Sequence, residues 1–344
     1  MHLISRLWKA SALIILSLTN ASAQTAQIGP TLSQVKERGS LNCGVPPGVP
    51  GFGAQQAAGE WLGLEIDFCR AIAAAVLGDA RKATFVPLSS QARFQALQQG
   101  QVDVLTRAVT WTYARDTQMA FNFGPVIFYD GQGFLTRRSP NVRRAQDLAG
   151  SNICTFSGST SEANLADWAR VNRVAYTAVL IDQPDAMRTA YEQGRCTAMS
   201  TDASQLIGIQ TTLPNPSEHI VLPERISKEP LAPVVRHGDE QWTEIVRWTI
   251  FALIEAEELG ITSANAGSML LNENPSIRRL LGVAGDHGAM MGLEVRWAFN
   301  AIQQVGNYGE IFERNLGTGS TIGLGRGIND LWTRGGLMYA PPIR

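Results

Sequence analysis

The sequence predicts an α/β protein of two similar lobes, and three observations support this. The chain has 344 residues, a β-α-β-α-β pattern occurs twice along it, and an extended segment follows each pattern. Chains of this length usually divide into more than one domain. Short apolar strands that alternate with helical patterns favour a mixed, mostly parallel sheet flanked by helices in each lobe.

The N-terminal 23 residues have the features of a cleavable signal peptide. Arg6 and Lys9 give a positive start, residues 10–18 are apolar but too short to span a bilayer, and Ala21-Ser22-Ala23 is a small-residue cleavage site. The mature chain would begin at Gln24, with no cysteine there for lipid attachment. We therefore expect an exported protein, located in the periplasm if its source is Gram-negative.

The first β-α-β-α-β pattern follows a short amphipathic helix at Thr31–Arg38. Apolar residues recur at helical spacing in the longest helix of the pattern, whose alanines allow close packing. A proline- and glycine-rich loop, 46–53, cannot be helical and contains Phe52. The predicted strands are Leu41–Val45, Thr84–Leu88 and Val102–Leu105, and the predicted helices are 64–76 and Ser90–Gln99.

The motif TWTYARD, residues 110–116, follows the third of these strands. Thr112 is a good helix N-cap, and Arg115 would lie in the first turn of that helix. Ligands are usually bound at the carboxyl ends of parallel strands. A helix N-terminus and a guanidinium group together favour a carboxylate. The alternative is that Arg115 and Asp116 form a surface charge pair at a helix start.

The second pattern contains two further candidate motifs. Gly158–Glu162 reads GSTSE, in which Ser159 and Glu162 have capping-box spacing, and Thr201-Asp202 ends a strand. Ser159 and Asp202 could act as helix N-caps alone, or cap and contact a ligand as well. The predicted strands are Asn152–Phe156, Ala175–Leu180 and Cys196–Ser200, and the predicted helices are Glu162–Val171, Pro184–Gln193 and Ala203–Thr211.

Extended segments near Gly131–Arg138 and Lys228–Arg236 predict a two-stranded hinge between the lobes. The predicted divisions are a signal peptide at 1–23, the first lobe at 24–134, the second lobe at 135–230, and a return to the first lobe with a C-terminal helical extension at 231–344. Such a hinge would let the lobes close over a ligand.

The cleft would place two sets of polar residues opposite each other. An amino acid suits this arrangement, because its α-carboxylate would pair with Arg115 and its α-ammonium with Asp202. Burying either charge without a partner would cost several kcal/mol. The first lobe offers Thr110, Thr112 and Arg115, and the second offers Ser159, Thr160 and Asp202.

Composition excludes several other classes of function. A net charge of −1 gives no reason to expect nucleic acid as a partner. The four cysteines form no metal-binding spacing, and an even number in an exported chain suggests two disulfides. Sequence alone allows three pairings, of which Cys43–Cys69 and Cys154–Cys196 is the simplest. The glycine-rich segment 323–327 has the wrong spacing for nucleotide binding, so we expect no cofactor and no metal.

Several segments resemble the periplasmic solute-binding proteins of polar amino acid ABC transporters, and most closely their general L-amino-acid-binding branch. The site motifs TWTYARD, GSTSE and STD belong to the wider family. The longer matches are typical of the branch: ISKEPLAPVVRHGDEQW at Ile226–Trp242, EELGIT at Glu257–Thr262, NPSIRRLLG at Asn274–Gly282, QVGNYGEIFERNLG at Gln304–Gly317, and GGLMYAPPIR at the end of the chain.

The resemblance implies the type II periplasmic binding protein fold, an L-amino acid ligand and delivery to the permease subunits of an ABC importer by a monomer. It implies that Arg115 binds the ligand carboxylate, helped by groups at Thr110, Thr112 and Thr160, and that Asp202 binds the α-amino group. Many relatives of narrow specificity also place an aromatic residue in the loop after the first strand to stack on the ligand side chain. Only Phe52 could do so here, and packing in the core or at the hinge is its alternative role.

One departure from the branch concerns Ala108-Val109, where polar residues such as Asn-Thr are expected. Ligand selectivity would change if the side chain of position 108 contacts the ligand, and binding would survive if only the backbone does. Together with the Gly/Pro-rich loop, this departure suggests a roomy pocket of broad specificity. The alternatives are a dehydratase-like periplasmic enzyme on the same fold and an amino-acid-sensing module. No catalytic constellation is evident.

Overall fold

The computed structural model describes residues 28–139 and 141–344. The predicted signal peptide therefore lies outside the described residues. The strands are β1 (Leu41–Val45), β2 (Ala54–Gln55), β3 (Trp61–Leu62), β4 (Ala83–Pro87), β5 (Val104–Leu105), β6 (Phe121–Phe123), β7 (Phe128–Asp130), β8 (Gln132–Arg137), β9 (Asn152–Phe156), β10 (Thr177–Ile181), β11 (Ala198–Asp202), β12 (His219–Val221), β13 (Glu229–Leu231) and β14 (Val234–Arg236).

The helices cover most of the remaining chain. They are α1 (Pro30–Arg38), α2 (Leu64–Leu77), α3 (Arg93–Gln98), α4 (Tyr113–Thr117), α5 (Thr160–Asn172), α6 (Pro184–Glu192), α7 (Ala203–Gln210), α8 (Glu240–Glu258), α9 (Ala266–Met269), α10 (Pro275–Leu280), α11 (His287–Met290), α12 (Trp297–Val305) and α13 (Tyr308–Asn315). None of these helices is both long and apolar enough to cross a membrane.

Two five-stranded sheets form the centres of the two lobes. The first has the order β4-β1-β5-β14-β6 and the second β10-β9-β11-β8-β12. In each sheet three neighbouring strands are parallel, and the two strands beyond them pair antiparallel. The sheets are therefore mixed, and the predicted two-lobed α/β class is confirmed.

Each sheet is covered on both faces, as the alternation of apolar side chains requires. Successive residues of β5, Val104 and Leu105, enter different hydrophobic clusters. Phe134 and Leu135 of β8 do the same in the second lobe. Helices of each lobe supply the other halves of these clusters, so each lobe has a core of its own.

Disulfide bonds tie a strand to a neighbouring element in each lobe. Cys43 of β1 is bonded to Cys69 of α2, and Cys154 of β9 to Cys196, two residues before β11. This is the predicted pairing, which is confirmed. The closed loops span 26 and 42 residues, so each bond is expected to stabilise the fold by about 3–4 kcal/mol.

The start of α2 depends on a glycine that no other residue could replace. Gly63 has a φ of +142°, and a Cβ at this position would lie 2.1 Å from the carbonyl oxygen of Phe52. This close approach holds the loop 46–53 against α2, and the N–H of Glu65 donates to the same Phe52 oxygen at 3.0 Å. Glu65 is thereby placed beside Ala108, whose N–H donates to the Glu65 carboxylate.

The hinge between the lobes is the short antiparallel pair of β7 and β13, in which Tyr129 lies opposite Pro230. Directly after β7, Gln132 begins β8 of the second sheet. The division predicted between residues 134 and 135 falls inside β8. The division predicted after residue 230 falls inside β13.

The C-terminal segment packs on the first lobe. Helix α12 packs against α2, and α13 packs against α8. Arg314 of α13 forms an ion pair with Asp67 of α2 at 2.7 Å. The last part of the chain is held by Arg326, which pairs with Glu257 of α8 at 3.1 Å.

Candidate functional site

The facing ends of the two lobes enclose a cavity of about 20 Å³. A space of this size has room for about one water molecule. An amino acid can therefore enter only if the lobes separate or the lining side chains move. The lining residues are Ser90, Arg93, Arg107, Ala108 and Thr110 from the first lobe, and Phe156, Ser159, Thr160, Ser161, Thr201, Asp202 and Gln205 from the second.

Local sequence places each side of this cleft at the carboxyl ends of strands. Arg107 follows β5, Thr160 begins the helix after β9, and Asp202 ends β11. Thr110 forms an isolated bridge with Leu231 of the hinge, so the TWTYARD motif is held beside β13. These residues therefore lie at the ends of strands, where the sequence predicts the ligand-binding groups.

Three buried arginines lie on the first-lobe side of the cleft. Arg93 is 3% exposed, and Arg107 and Arg115 are each 8% exposed. Burial lowers the pKa of each guanidinium, and it lowers that of Arg107 to about 10. Such burial is costly for a charged group and is normally offset by a carboxylate partner or a bound anion.

These arginines retain unused hydrogen-bond donors. Arg115 donates to the carbonyl oxygen of Thr110 at 2.9 Å, and Arg107 to that of Leu88 at 2.7 Å. The Nε of Arg93 is buried without a hydrogen-bond partner among the described residues. Because a guanidinium has five N–H donors, all three side chains can still bind an anion. Arg93 and Arg107 line the cavity itself.

Arg115 is not part of an exposed charge pair. Its guanidinium lies 5.1 Å from the ring centroid of Phe94, and no ion pair with Asp116 occurs within residues 28–139 and 141–344. Thr112 caps α4 as predicted, accepting from the N–H of Arg115 at 3.4 Å. Burial thus excludes the surface-pair alternative for Arg115.

Asp202 faces the cavity because another carboxylate caps its helix. It occupies the N-cap position of α7, but its side chain makes no capping bond there. Asp130 of the hinge instead accepts from the N–H of Ser204 at 3.2 Å, and from the Ser204 hydroxyl. Among the residues that the structure describes, the Asp202 side chain accepts from Gln205 alone, at 2.6 Å. Burial first, and then Asp130 and Glu229 nearby, raise the pKa of Asp202 well above its ordinary value.

Glu229 of the hinge joins the two lobes. Its carboxylate accepts from Thr110 of the first lobe at 2.5 Å and from Thr160 of the second at 3.1 Å. Asn164 and Ser227 donate to its other oxygen at 2.7 and 2.5 Å. The Thr110 and Thr160 hydroxyl oxygens are 3.2 Å apart. The predicted pair of facing threonines is therefore brought together at the hinge carboxylate.

Ser159 keeps its structural role while lining the cavity. It accepts from the N–H of Glu162 at 3.2 Å and donates to the carbonyl oxygen of Phe156 at 2.6 Å. Glu162 accepts from the N–H of Gly158 at 3.0 Å. The predicted capping box therefore forms at Ser159, but its return bond is displaced by one residue.

Phe52 does not line the cavity. It is fully buried and packs edge-to-face against Phe128 of the hinge, with ring centroids 5.6 Å apart. This position agrees with the alternative role given for Phe52, which is packing beside the hinge. This position gives no support to a role in stacking on the ligand side chain, because the ring is fully buried and does not line the cavity.

Ala108 adopts an unusual backbone conformation at the edge of the site. Its φ is +45°, a left-handed conformation that asparagine tolerates better than alanine. Its N–H donates to the Glu65 carboxylate at 2.5 Å. The Asn expected at this position would therefore suit the backbone, and Ala108 leaves more room in the cavity that it lines.

Glu65 is buried beneath the cavity with one oxygen unpaired among the described residues. Burial raises its pKa to about 7, against the lowering effects of the Ala108 N–H and of Arg107 and Arg93. Sequence reasoning missed Glu65, Arg93, Arg107 and Glu229. The signal available for Arg107 was a charged residue directly after a strand.

The fold and this site define a two-lobed, type II binding protein that encloses a solute between its lobes. The model of the bacterial extracellular solute-binding proteins, family 3, matches residues 41–265. The chain belongs to this family, which confirms the resemblance inferred from its motifs.

Relatives of known name cover nearly the whole chain. The general L-amino acid-binding periplasmic protein AapJ of Rhizobium johnstonii is 51% identical over 94% of this chain and 95% of its own. The glutamate/glutamine/aspartate/asparagine-binding protein BztA of Rhodobacter capsulatus is 50% identical over 91% and 93%. A Brucella ovis periplasmic binding protein, solved with glutathione bound, has a TM-score of 0.89 and 46% identity over 91% of this chain and 99% of its own.

The backbone strain at Ala108 can be tested by Ala108→Gly. Glycine adopts a positive φ without penalty, so we expect the free energy of unfolding to rise by about 0.5–1 kcal/mol. Urea denaturation would measure it. As a control, Ala166→Gly, at an exposed position within α5, should lower stability by about 1 kcal/mol. A loss of stability in both variants would contradict the assignment of strain to Ala108.

Glu65→Gln tests the raised pKa of this carboxyl group. The folded group keeps its proton to about pH 7, and the ordinary value is 4.5. Between pH 4.5 and about 7 the folded state therefore binds more protons than the unfolded state. The free energy of unfolding of the wild type should then fall by about 3 kcal/mol as pH rises through this range. Glu65→Gln should lack this component when denaturation is measured at pH 4.5 and 8. Glu244→Gln, at an exposed position of α8, should follow the wild type, and an unchanged slope in Glu65→Gln would refute the prediction.

Proposed function

We propose that this protein captures free L-amino acids in the cleft between its lobes and delivers them to an ABC importer. The observation that carries the proposal is the set of buried arginines on one side of the cleft. They face the buried carboxylate of Asp202, which makes no capping bond to its own helix. A zwitterionic ligand offers an anion to the arginines and a cation to Asp202. It thereby pairs charges that the fold has already removed from water.

Each end of the ligand has a set of partners. The α-carboxylate binds Arg115, with Thr110, Thr112, Ser159 and Thr160 supplying hydroxyl or backbone groups. The N-terminus of α5 also favours an anion. The α-ammonium binds Asp202 on α7. Closure follows because these contacts require both lobes at once.

The additional arginines favour ligands with a second anionic group. Arg93 and Arg107 line the cavity and have donors left over once Arg115 holds the α-carboxylate. BztA is named for glutamate and aspartate among its ligands, and the Brucella ovis protein was solved with glutathione, which also carries two carboxylates. We therefore infer that acidic amino acids bind more tightly than neutral ones within a broad specificity.

The remaining parts of the proposal concern location and partners. The N-terminal signal peptide directs the chain to the periplasm, where it acts as a monomer that docks on the permease subunits. Its role is binding rather than catalysis, as the names of AapJ and BztA describe for those proteins. An ancestral binding protein described as a precursor of cyclohexadienyl dehydratase shares the fold at 23% identity.

Arg115→Ala tests the carboxylate site. Loss of the guanidinium leaves the ligand carboxylate without its main partner, so binding should weaken by about 2–5 kcal/mol in calorimetric titration with a panel of L-amino acids. Arg170→Ala, which removes an exposed arginine on α5, should bind as the wild type does. Wild-type affinity in a folded Arg115→Ala protein would refute the assignment, and tight binding of one amino acid alone would refute broad specificity.

Arg93→Met tests the preference for a second carboxylate. The unbranched apolar side chain fills similar space but donates no hydrogen bond, so L-glutamate should bind at least tenfold more weakly, a loss of about 1.4 kcal/mol. Affinity for L-glutamine should change much less. Titration of both ligands against the wild type and the variant measures the difference. Equal losses for the two ligands would show that Arg93 supports the fold rather than selectivity.

A further inference from the structure

The C-terminal extension, residues 266–344, reaches the hinge between the lobes. The family model matches residues 41–265, so the extension lies beyond the matched part of the chain. Three consecutive residues at the hinge are touched by it. Tyr308 donates to the carbonyl oxygen of Ile127 at 3.0 Å, and Phe312 stacks on Phe128 with centroids 6.3 Å apart. Asn329 binds Tyr129.

The side-chain amide of Asn329 pairs with the backbone of β7 in the way that a neighbouring strand would. Its Oδ1 accepts from the N–H of Tyr129 at 2.6 Å, and its Nδ2 donates to the carbonyl oxygen of Tyr129 at 2.9 Å. Pro230, opposite Tyr129 in the hinge, has no N–H, and its carbonyl oxygen accepts from Trp111 at 2.8 Å. Asn329 therefore satisfies both backbone groups of the central residue of β7.

The position of Asn329 is itself fixed to the first lobe. Arg326 donates to the carbonyl oxygen of Asn329 at 3.0 Å and to Glu257 of α8 at 3.1 and 3.2 Å. Its guanidinium lies 5.0 Å from the ring centroid of Tyr308 and 4.9 Å from that of Phe312. Asn329 is 5% exposed, so water does not compete freely for its bonds to the hinge.

We propose that the extension is a brace that holds β7 as a rigid part of the first lobe, with Asn329 as its positioning residue. A bidentate contact fixes the peptide planes on either side of Tyr129. Bending between the lobes is thereby confined to residues beyond Tyr129, where Gly131 separates β7 from β8. The brace narrows the range of interlobe angles, and the lobes reach the closed, ligand-binding arrangement with less loss of conformational freedom.

The direct test measures the interlobe distance in unliganded protein. Spin labels on Arg81→Cys in the first lobe and Arg170→Cys in the second would report it, because those arginine side chains are 90% and 79% exposed. The four native cysteines are paired in disulfides. Asn329→Ala in this background should broaden the distance distribution toward longer distances. Tyr308→Phe, which loses only the hydroxyl bond to Ile127, should broaden it less.

Asn274→Ala is the matched control. Asn274 caps α10 within the same extension by accepting from the N–H of Ser276 at 2.9 Å, and its side chain makes no hydrogen bond to the described part of the hinge. This variant should lower the melting temperature and leave the distance distribution unchanged. If Asn329→Ala also lowers the melting temperature but leaves the interlobe distance distribution unchanged, Asn329 only anchors the extension. That result would overturn the proposal.

Ligand kinetics provide a second readout, which rests on the proposed function. The dissociation rate of L-glutamate should increase threefold to tenfold in Asn329→Ala, although Asn329 does not line the cavity. If the wild type binds no L-amino acid, the proposed function fails while the distance measurement still decides the role of the brace. If L-glutamate binds and the variant changes neither rate nor distances, the brace proposal alone fails.

Discussion

Burial of charge at the cleft is the constraint on which the rest of this structure depends. The fold places Arg93, Arg107 and Arg115 out of water, and burial lowers the pKa of each. Only part of that cost is offset within the protein, by Glu65, Asp202 and Glu229 at a distance and by backbone carbonyl groups in contact. In the proposed function a bound anion supplies the remaining partner, and ligand binding and the electrostatic balance of the folded state are then linked.

The same constraint explains why the hinge carries acidic residues. Asp130 caps α7 and leaves the Asp202 carboxylate directed at the cavity, and Glu229 accepts hydroxyl groups from both lobes. Each hinge strand thus contributes one carboxylate, half-buried at Asp130 and buried at Glu229, that orients a part of the site. Changes at these positions would alter the geometry of closure as well as the charge at the site, because the same atoms serve both.

Much of the fold could be predicted from the sequence because local signals agreed with the tertiary structure. Strands Leu41–Val45 and Asn152–Phe156 were bounded correctly, Thr112 caps α4, and the simplest cysteine pairing is the one observed. Hydrophobic periodicity and capping residues act over a few neighbours, so they can be read along the chain. Strand Val104–Leu105 is shorter than predicted because Val102 and Asp103 lie outside the sheet ladder.

The parts of the site that escaped prediction depend on contacts between distant segments. Arg93 was within a predicted helix, but only the tertiary arrangement shows that its guanidinium reaches the cavity. The role of Asp202 could not be distinguished from simple capping, because the residue that displaces it, Asp130, lies 72 positions earlier. The position of Phe52 could not be predicted for the same reason, since its burial depends on packing against the distant Phe128.

Selectivity follows from how the two kinds of site residue are held. Arg115 and Asp202 lie near helix starts that are fixed by capping bonds, and in the proposed function they bind the groups that all amino acids share. Arg93, Gln205 and Ala108 also line the cavity, where the proposal places the ligand side chain. Ala108 keeps the left-handed backbone and the bond to Glu65 but carries a smaller side chain than Asn. The departure at this position therefore preserves the backbone of the site while enlarging the space beside Arg93 and Arg107.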